Sequence, residues 1–121
     1  MSAVVLGSAT VQAQAADIVG TWSGGGYAKI TDGDKERVRC RITYERQGIK
    51  TFSVHAVCAS PSVRVLQTGT ILRATTNTYL GSLRNMDYNV TAKVRIRVSG
   101  SSQTITMQAD DVTGRVTLRR Q

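Results

Sequence analysis

The chain has 121 residues, a length that fits one domain, and its 16 Lys and Arg against 8 Asp and Glu leave a formal charge of +8. One Pro, one Trp, one Phe and one His, with 11 Gly, argue against a helical bundle or an aromatic-rich binding platform and favour strands joined by tight turns. No segment approaches the roughly 20 apolar residues of a membrane-spanning helix.

The first sixteen residues, MSAVVLGSATVQAQAA, carry no charge. Val4, Val5, Leu6 and Val11 form a short apolar run, and Ala13-Gln14-Ala15 is a small-x-small site ahead of Asp17. This reads as a secretory signal peptide cleaved after Ala15 or Ala16, although no Lys or Arg precedes the apolar run; the alternative is a disordered Ala/Ser-rich N-terminus. Residues 17–121 are then the single folded domain.

In DIVGTWSGGGYAKIT, Trp22, Gly24, Gly26, Ala28 and Ile30 share one face, with Tyr27, Lys29 and Thr31 on the other. The Gly24-Gly25-Gly26 run lets a strand bend as a small barrel requires. It matches neither G-x-G-x-x-G nor a P-loop. DGDKE, Asp32 to Glu36, reads as a hairpin turn. It lacks the Gly at position six and the Glu at position twelve of a calcium loop, where Arg37 and Thr43 stand.

Arg37 to Ser60 reads as two strands around Gln47-Gly48-Ile49-Lys50. Val38, Cys40, Ile42 and Tyr44 alternate with polar residues on the first. Phe52, Val54, Ala56 and Cys58 alternate on the second. A hairpin folded about Ile49 sets Cys40 opposite Cys58, Ile42 opposite Ala56 and Tyr44 opposite Val54, so every inward residue meets an inward residue. Facing Cβ atoms lie about 4.5–5.5 Å apart, which predicts a Cys40–Cys58 disulfide in an exported protein. A redox pair wants C-x-x-C and a zinc site wants four ligands, so neither a metal nor another cofactor is expected.

Beyond Pro61, Val63 to Arg73 forms a strand whose phase shifts near Gln67–Gly69, which predicts a bulge. Thr78 to Leu83 is a short strand. Tyr88 to Val98 is a clear one, with Tyr88, Val90, Ala92, Val94, Ile96 and Val98 inward. Ile105, Met107 and Ala109 follow one turn, and Val112, Gly114, Val116 and Leu118 follow another at Asp110-Asp111. About eight regularly spaced strands with no helical period predict an all-β fold, a small antiparallel eight-stranded up-and-down β-barrel. None of the alternations brings a charge inward, so side chains are expected to fill the barrel.

Gly20-Thr21-Trp22 resembles the opening strand of lipocalins and avidins. In lipocalins the Trp packs across the barrel base against an Arg from the last strand, a role the resemblance offers to Arg119 or Arg120 through a cation–π contact. The avidin ligand-binding tryptophans are absent, since Trp22 is alone. The signal-like start, G-x-W, DGDKERVRCRITY (Asp32 to Tyr44) and CAS (Cys58 to Ser60) resemble small exported proteins of Gram-negative bacteria with no assigned activity. That resemblance implies a periplasmic β-barrel and no mechanism.

An enzyme is not expected. His55 is the sole His and falls outward opposite Thr43, and the carboxylates Glu45, Asp87, Asp110 and Asp111 fall at strand ends or turns. The charge is more informative. Arg37, Arg39 and Arg41 line one outer strand face, Lys93, Arg95 and Arg97 a second, and Arg115, Arg119 and Arg120 a third. Outward Arg rows suit phosphate or carboxylate; the bland alternative is solubility. The expectation is a periplasmic or secreted, non-catalytic module that meets anionic envelope polymers or lipids: lipopolysaccharide, phospholipid headgroups or glycans. The alternatives are a nucleic-acid-binding barrel, which few exposed aromatics support, and a periplasmic inhibitor of an acidic enzyme.

Overall fold

The computed structural model describes residues 17–121, and the signal-like segment lies outside them. Eight strands follow in chain order: β1 (Gly20–Ile30), β2 (Lys35–Arg46), β3 (Thr51–Ala59), β4 (Arg64–Arg73), β5 (Thr78–Asn85), β6 (Val90–Ser99), β7 (Ser102–Ala109) and β8 (Val112–Arg120). Each pairs antiparallel with the next, and β8 returns to β1, closing an up-and-down barrel with no sheet edge.

Period-two alternation decides which side chains go in. On β6, Ala92, Val94, Ile96 and Val98 are buried while the residues between them are exposed. The β2–β3 ladder has the register that the hydrophobic pattern dictates, with Cys40 opposite Cys58, Ile42 opposite Ala56 and Tyr44 opposite Val54. The two cysteines form a disulfide with a Cα–Cα distance of 4.1 Å.

The interior differs from expectation at four places. β4 has no bulge, because its ladders to β3 and β5 run without interruption. The apparent phase shift arises because Leu66 and Leu72 face outward while Gln67 and Gly69 take inward positions. Tyr88 and Val90 are not core residues: they are 58% and 41% exposed. Asn85 ends β5 by accepting hydrogen bonds at Oδ1 from the amides of Asp87 and Tyr88, and Asn89 adopts a positive φ of 54°, so β6 starts only at Val90. Ile30 ends β1 at the barrel rim, where no further layer covers it, and is 54% exposed. Finally, charges do take inward positions: Glu36 opposite Ala28 near one rim, and a layer of arginines at the other end of the barrel.

That end is sealed by three cross-strand pairs of one kind. Arg46 stands opposite Phe52, Arg73 opposite Tyr79, and Arg120 opposite Trp22. Each guanidinium lies over its partner's ring, at 5.0, 5.3 and 4.4 Å from the centroid respectively. The aromatic bodies fill the barrel; Arg46 and Arg120 are exposed, an arrangement worth about 0.5–1 kcal/mol per pair, whereas half-buried Arg73 also donates hydrogen bonds from Nε and Nη2 to Tyr79 Oη at 3.2 and 2.7 Å. Residues ahead of β1 strap the same end. Ile18 is fully buried, and its carbonyl accepts a 2.9 Å hydrogen bond from Trp22 Nε1. Arg120 donates to the Val19 carbonyl at 2.8 Å and to the carbonyl of Asp17. Arg120, rather than Arg119, therefore covers the tryptophan; Arg119 faces outward opposite Ser23.

The opposite end is looser. Val38, Val65 and Met107 are only partly buried there, and the turns Asp32–Asp34, Asp87 and Asp110–Asp111 ring it with carboxylates. Where β1 meets β8 the strands come very close. A Cβ on Gly26 would lie 1.9 Å from the Arg115 carbonyl oxygen, and one on Gly24 would lie 2.1 Å from that of Thr117. Only glycine allows this approach, which bends β1 around the small barrel.

Candidate anion-binding wall

Two regions qualify as sites, the interior and the outer wall. The interior contains polar groups that the sequence did not flag. Tyr44 Oη donates a 2.6 Å hydrogen bond to Gln103 Oε1, and Gln103 is 1% exposed. Its Nε2 has no partner among the described residues. Burial holds the Tyr44 phenol un-ionised far above the usual tyrosine range; the Gln103 bond opposes this weakly. The rest of the interior is taken up by a core cluster that includes Trp22, Phe52, Tyr79, Ile105 and Leu118, all fully or almost fully buried.

The outer wall gathers the predicted basic residues. Register places Arg95 opposite Thr106, Thr106 opposite Arg115, Arg115 opposite Tyr27, and Tyr27 opposite Arg37. One hydrogen-bonded row thus crosses β6, β7, β8, β1 and β2 with an arginine on every second strand. Strands lie about 4.8 Å apart, so these arginines recur roughly every 10 Å around the barrel. Along β6, Lys93, Arg95 and Arg97 recur about every 6.8 Å, and Arg37, Arg39 and Arg41 do the same on β2. Arg97 and Arg39 flank a parallel row through Thr104, Thr117 and Gly25; Arg119 and Arg41 flank Ser23.

β7 supplies the floor between the basic strands. Its outward residues Thr104, Thr106 and Gln108 are short or uncharged, while Lys93 and Arg95 rise on one side and Arg115 and Tyr27 on the other. The result is a shallow depression of about 390 Å³ lined by these residues, Thr104 excepted, and by Thr113. Lys35 Nζ lies 4.5 Å from the Tyr27 ring centroid, so the phenol face is already occupied by a cation. No outward position of β6, β7, β8 or β1 holds a carboxylate, and on β2 the first is Glu45, near the strand's end. The strand pattern, not any motif, is what brings these cations together.

A second depression on β2–β4 is lined by Thr43, Glu45, Ser53, His55, Thr68 and Thr70. It holds a carboxylate and no Lys or Arg, so it does not suit an anion. His55 stands there exposed, opposite Thr43.

No protein-family model and no curated protein matches the chain. Solved structures do. A redesigned β-barrel, b11L5F_LGL, superposes with a TM-score of 0.70 at 18% identity, over 86% of this chain and 91% of that one. The redesigned barrel mFAP1, bound to DFHBI, gives 0.70 at 15% identity over 86% and 94%. A de novo designed fluorescence-activating β-barrel gives 0.66 at 17% identity over 85% and 93%. At these identities the chain shares their fold: a small closed antiparallel β-barrel.

Proposed function

We propose that this chain is a non-catalytic, exported binding barrel whose basic wall meets anionic components of a bacterial envelope. The observation that carries the reading is the field of Lys and Arg on the wall from β6 to β2, whose outward strand positions hold one carboxylate, Glu45 near the end of β2. Planar guanidinium forks at fixed spacing on a rigid sheet suit phosphate and carboxylate oxygens, and threonine hydroxyls between them add neutral donors. The Cys40–Cys58 bond and the signal-like N-terminus support an oxidising compartment. A nucleic-acid reading is weaker, because base stacking needs free aromatic faces and Tyr27 is covered by Lys35.

The test is retention on immobilised heparin, a soluble polyanion. Wild type should bind at low salt and elute as ionic strength rises, because exposed charge contacts are screened. Arg95→Ser/Arg97→Ser should elute at clearly lower salt with an unchanged circular dichroism spectrum. Retention unaffected by either salt or the double variant would refute the reading.

A further inference from the structure

The outer wall changes chemistry at the seam between β5 and β6. Leu80 of β5 stands opposite Leu72 of β4 on one side and opposite Arg95 of β6 on the other. Both leucines face outward, 51% exposed for Leu72 and 45% for Leu80. They form a directly opposed apolar pair in water, one strand from the column Lys93, Arg95 and Arg97. Neighbouring strands lie about 4.8 Å apart, so leucine and guanidinium reach the same surface together.

We infer that this β4–β6 face docks on an anionic lipid surface, with Leu72 and Leu80 entering the headgroup–acyl boundary and Arg95 and Arg97 paired with headgroup phosphates. The inference rests on the polyanion-binding reading and names the partner. A soluble polyanion offers nothing to a leucine pair, whereas a lipid surface offers anionic oxygens and an apolar layer at adjoining depths. Arginine's long stem lets its guanidinium stay at headgroup height while the shorter leucines face the acyl region.

The distribution of negative charge supports the same orientation. Outward positions on β4, β5 and β6 carry no Asp or Glu. Leu72 and Leu80 lie toward the end of the barrel whose turns, 47–50, 74–77 and 100–101, have no carboxylate. The aspartate turns all lie at the other end, a strand length away. Docked through the leucine pair, the protein would hold its aspartate turns away from a negatively charged surface; the acidic side chains at the leucine end, Asp17 and Glu45, lie off β4, β5 and β6.

The experiment is flotation of the full chain with phosphatidylcholine vesicles and with vesicles containing phosphatidylglycerol, alongside heparin retention. Wild type should float with the anionic vesicles and not with the zwitterionic ones. Leu72→Ser/Leu80→Ser should lower the partition coefficient about tenfold while leaving heparin retention unchanged. Leu66→Ser, on the same strand but opposite Val57, should leave both unchanged. Equal flotation with both vesicle types would overturn the inference, as would a leucine double variant that floats like wild type. A leucine double variant that only converts a dimer to a monomer would assign the face to a second copy and overturn it too. In each of those cases the heparin result decides separately whether the basic wall binds polyanions.

Discussion

Tyr44 and Gln103 form a buried polar pair in a mostly apolar core, and the phenol contributes a specific pH dependence. In the folded chain burial keeps it protonated well above the range in which an unfolded tyrosine ionises, near pH 10. Above that pH the unfolded state binds fewer protons than the folded state, so stability falls as pH rises. The slope contributed is about 1.4 kcal/mol per pH unit for one proton. Tyr44→Phe should remove this contribution, which grows from about half the full slope near pH 10 to almost all of it by about pH 11, measured by urea titration across that range. It should also lower stability at neutral pH by about 1–3 kcal/mol, because it leaves Gln103 buried with neither end satisfied. An unchanged alkaline slope would place the ionising group elsewhere.

At the scale of strands, the seam between β1 and β8 depends on two missing side chains. Gly26 and Gly24 allow backbone to approach backbone where any Cβ would strike a carbonyl oxygen. Gly26→Ala should therefore cost about 1–3 kcal/mol or more, since a rigid backbone atom rather than a flexible side chain must move. Chemical denaturation is the measurement, and a variant within 0.5 kcal/mol of wild type, on the order of ordinary surface substitutions, would mean the seam yields easily. β1 shows how far its sequence could be read. The glycine run announced a bend, and an up-and-down barrel pairs its first strand with its last, from Val112 to Arg120, as the structure has it; how close the two backbones come was not legible in the run.

For the molecule as a whole, the disulfide ties β2 to β3 across a sequence separation of 18, next to the looser end of the barrel. Closing a loop of that length in the unfolded chain should stabilise the fold by about 3 kcal/mol. Cys40→Ala/Cys58→Ala should unfold at lower denaturant by that difference while keeping its far-ultraviolet spectrum; equal midpoints would show that the cross-link is idle. The charge layout is also a property of the whole. Turns with aspartate collect at one end because an up-and-down barrel returns every second turn to the same end, and the arginine strands collect on one wall because β8 closes on β1.

Alternation alone determined which side of each strand is apolar, and with it the β2–β3 register, the Cys40–Cys58 pairing and the outward direction of Arg37, Arg39, Arg41, Lys93, Arg95, Arg97, Arg115 and Arg119. Period two acts locally, and a one-residue slip would have turned a whole apolar set to water. It misjudged Tyr88 and Val90, where Asn85 captures backbone amides and interrupts the strand, and β4, where outward leucines imitate a change of phase. Closure decided the rest. Which arginine covers Trp22, which polar side chain meets Tyr44, and which basic strands become neighbours all depend on contacts between residues far apart in the chain. Trp22 and Arg120 come together only when β8 returns to β1, and no local pattern encodes that distance.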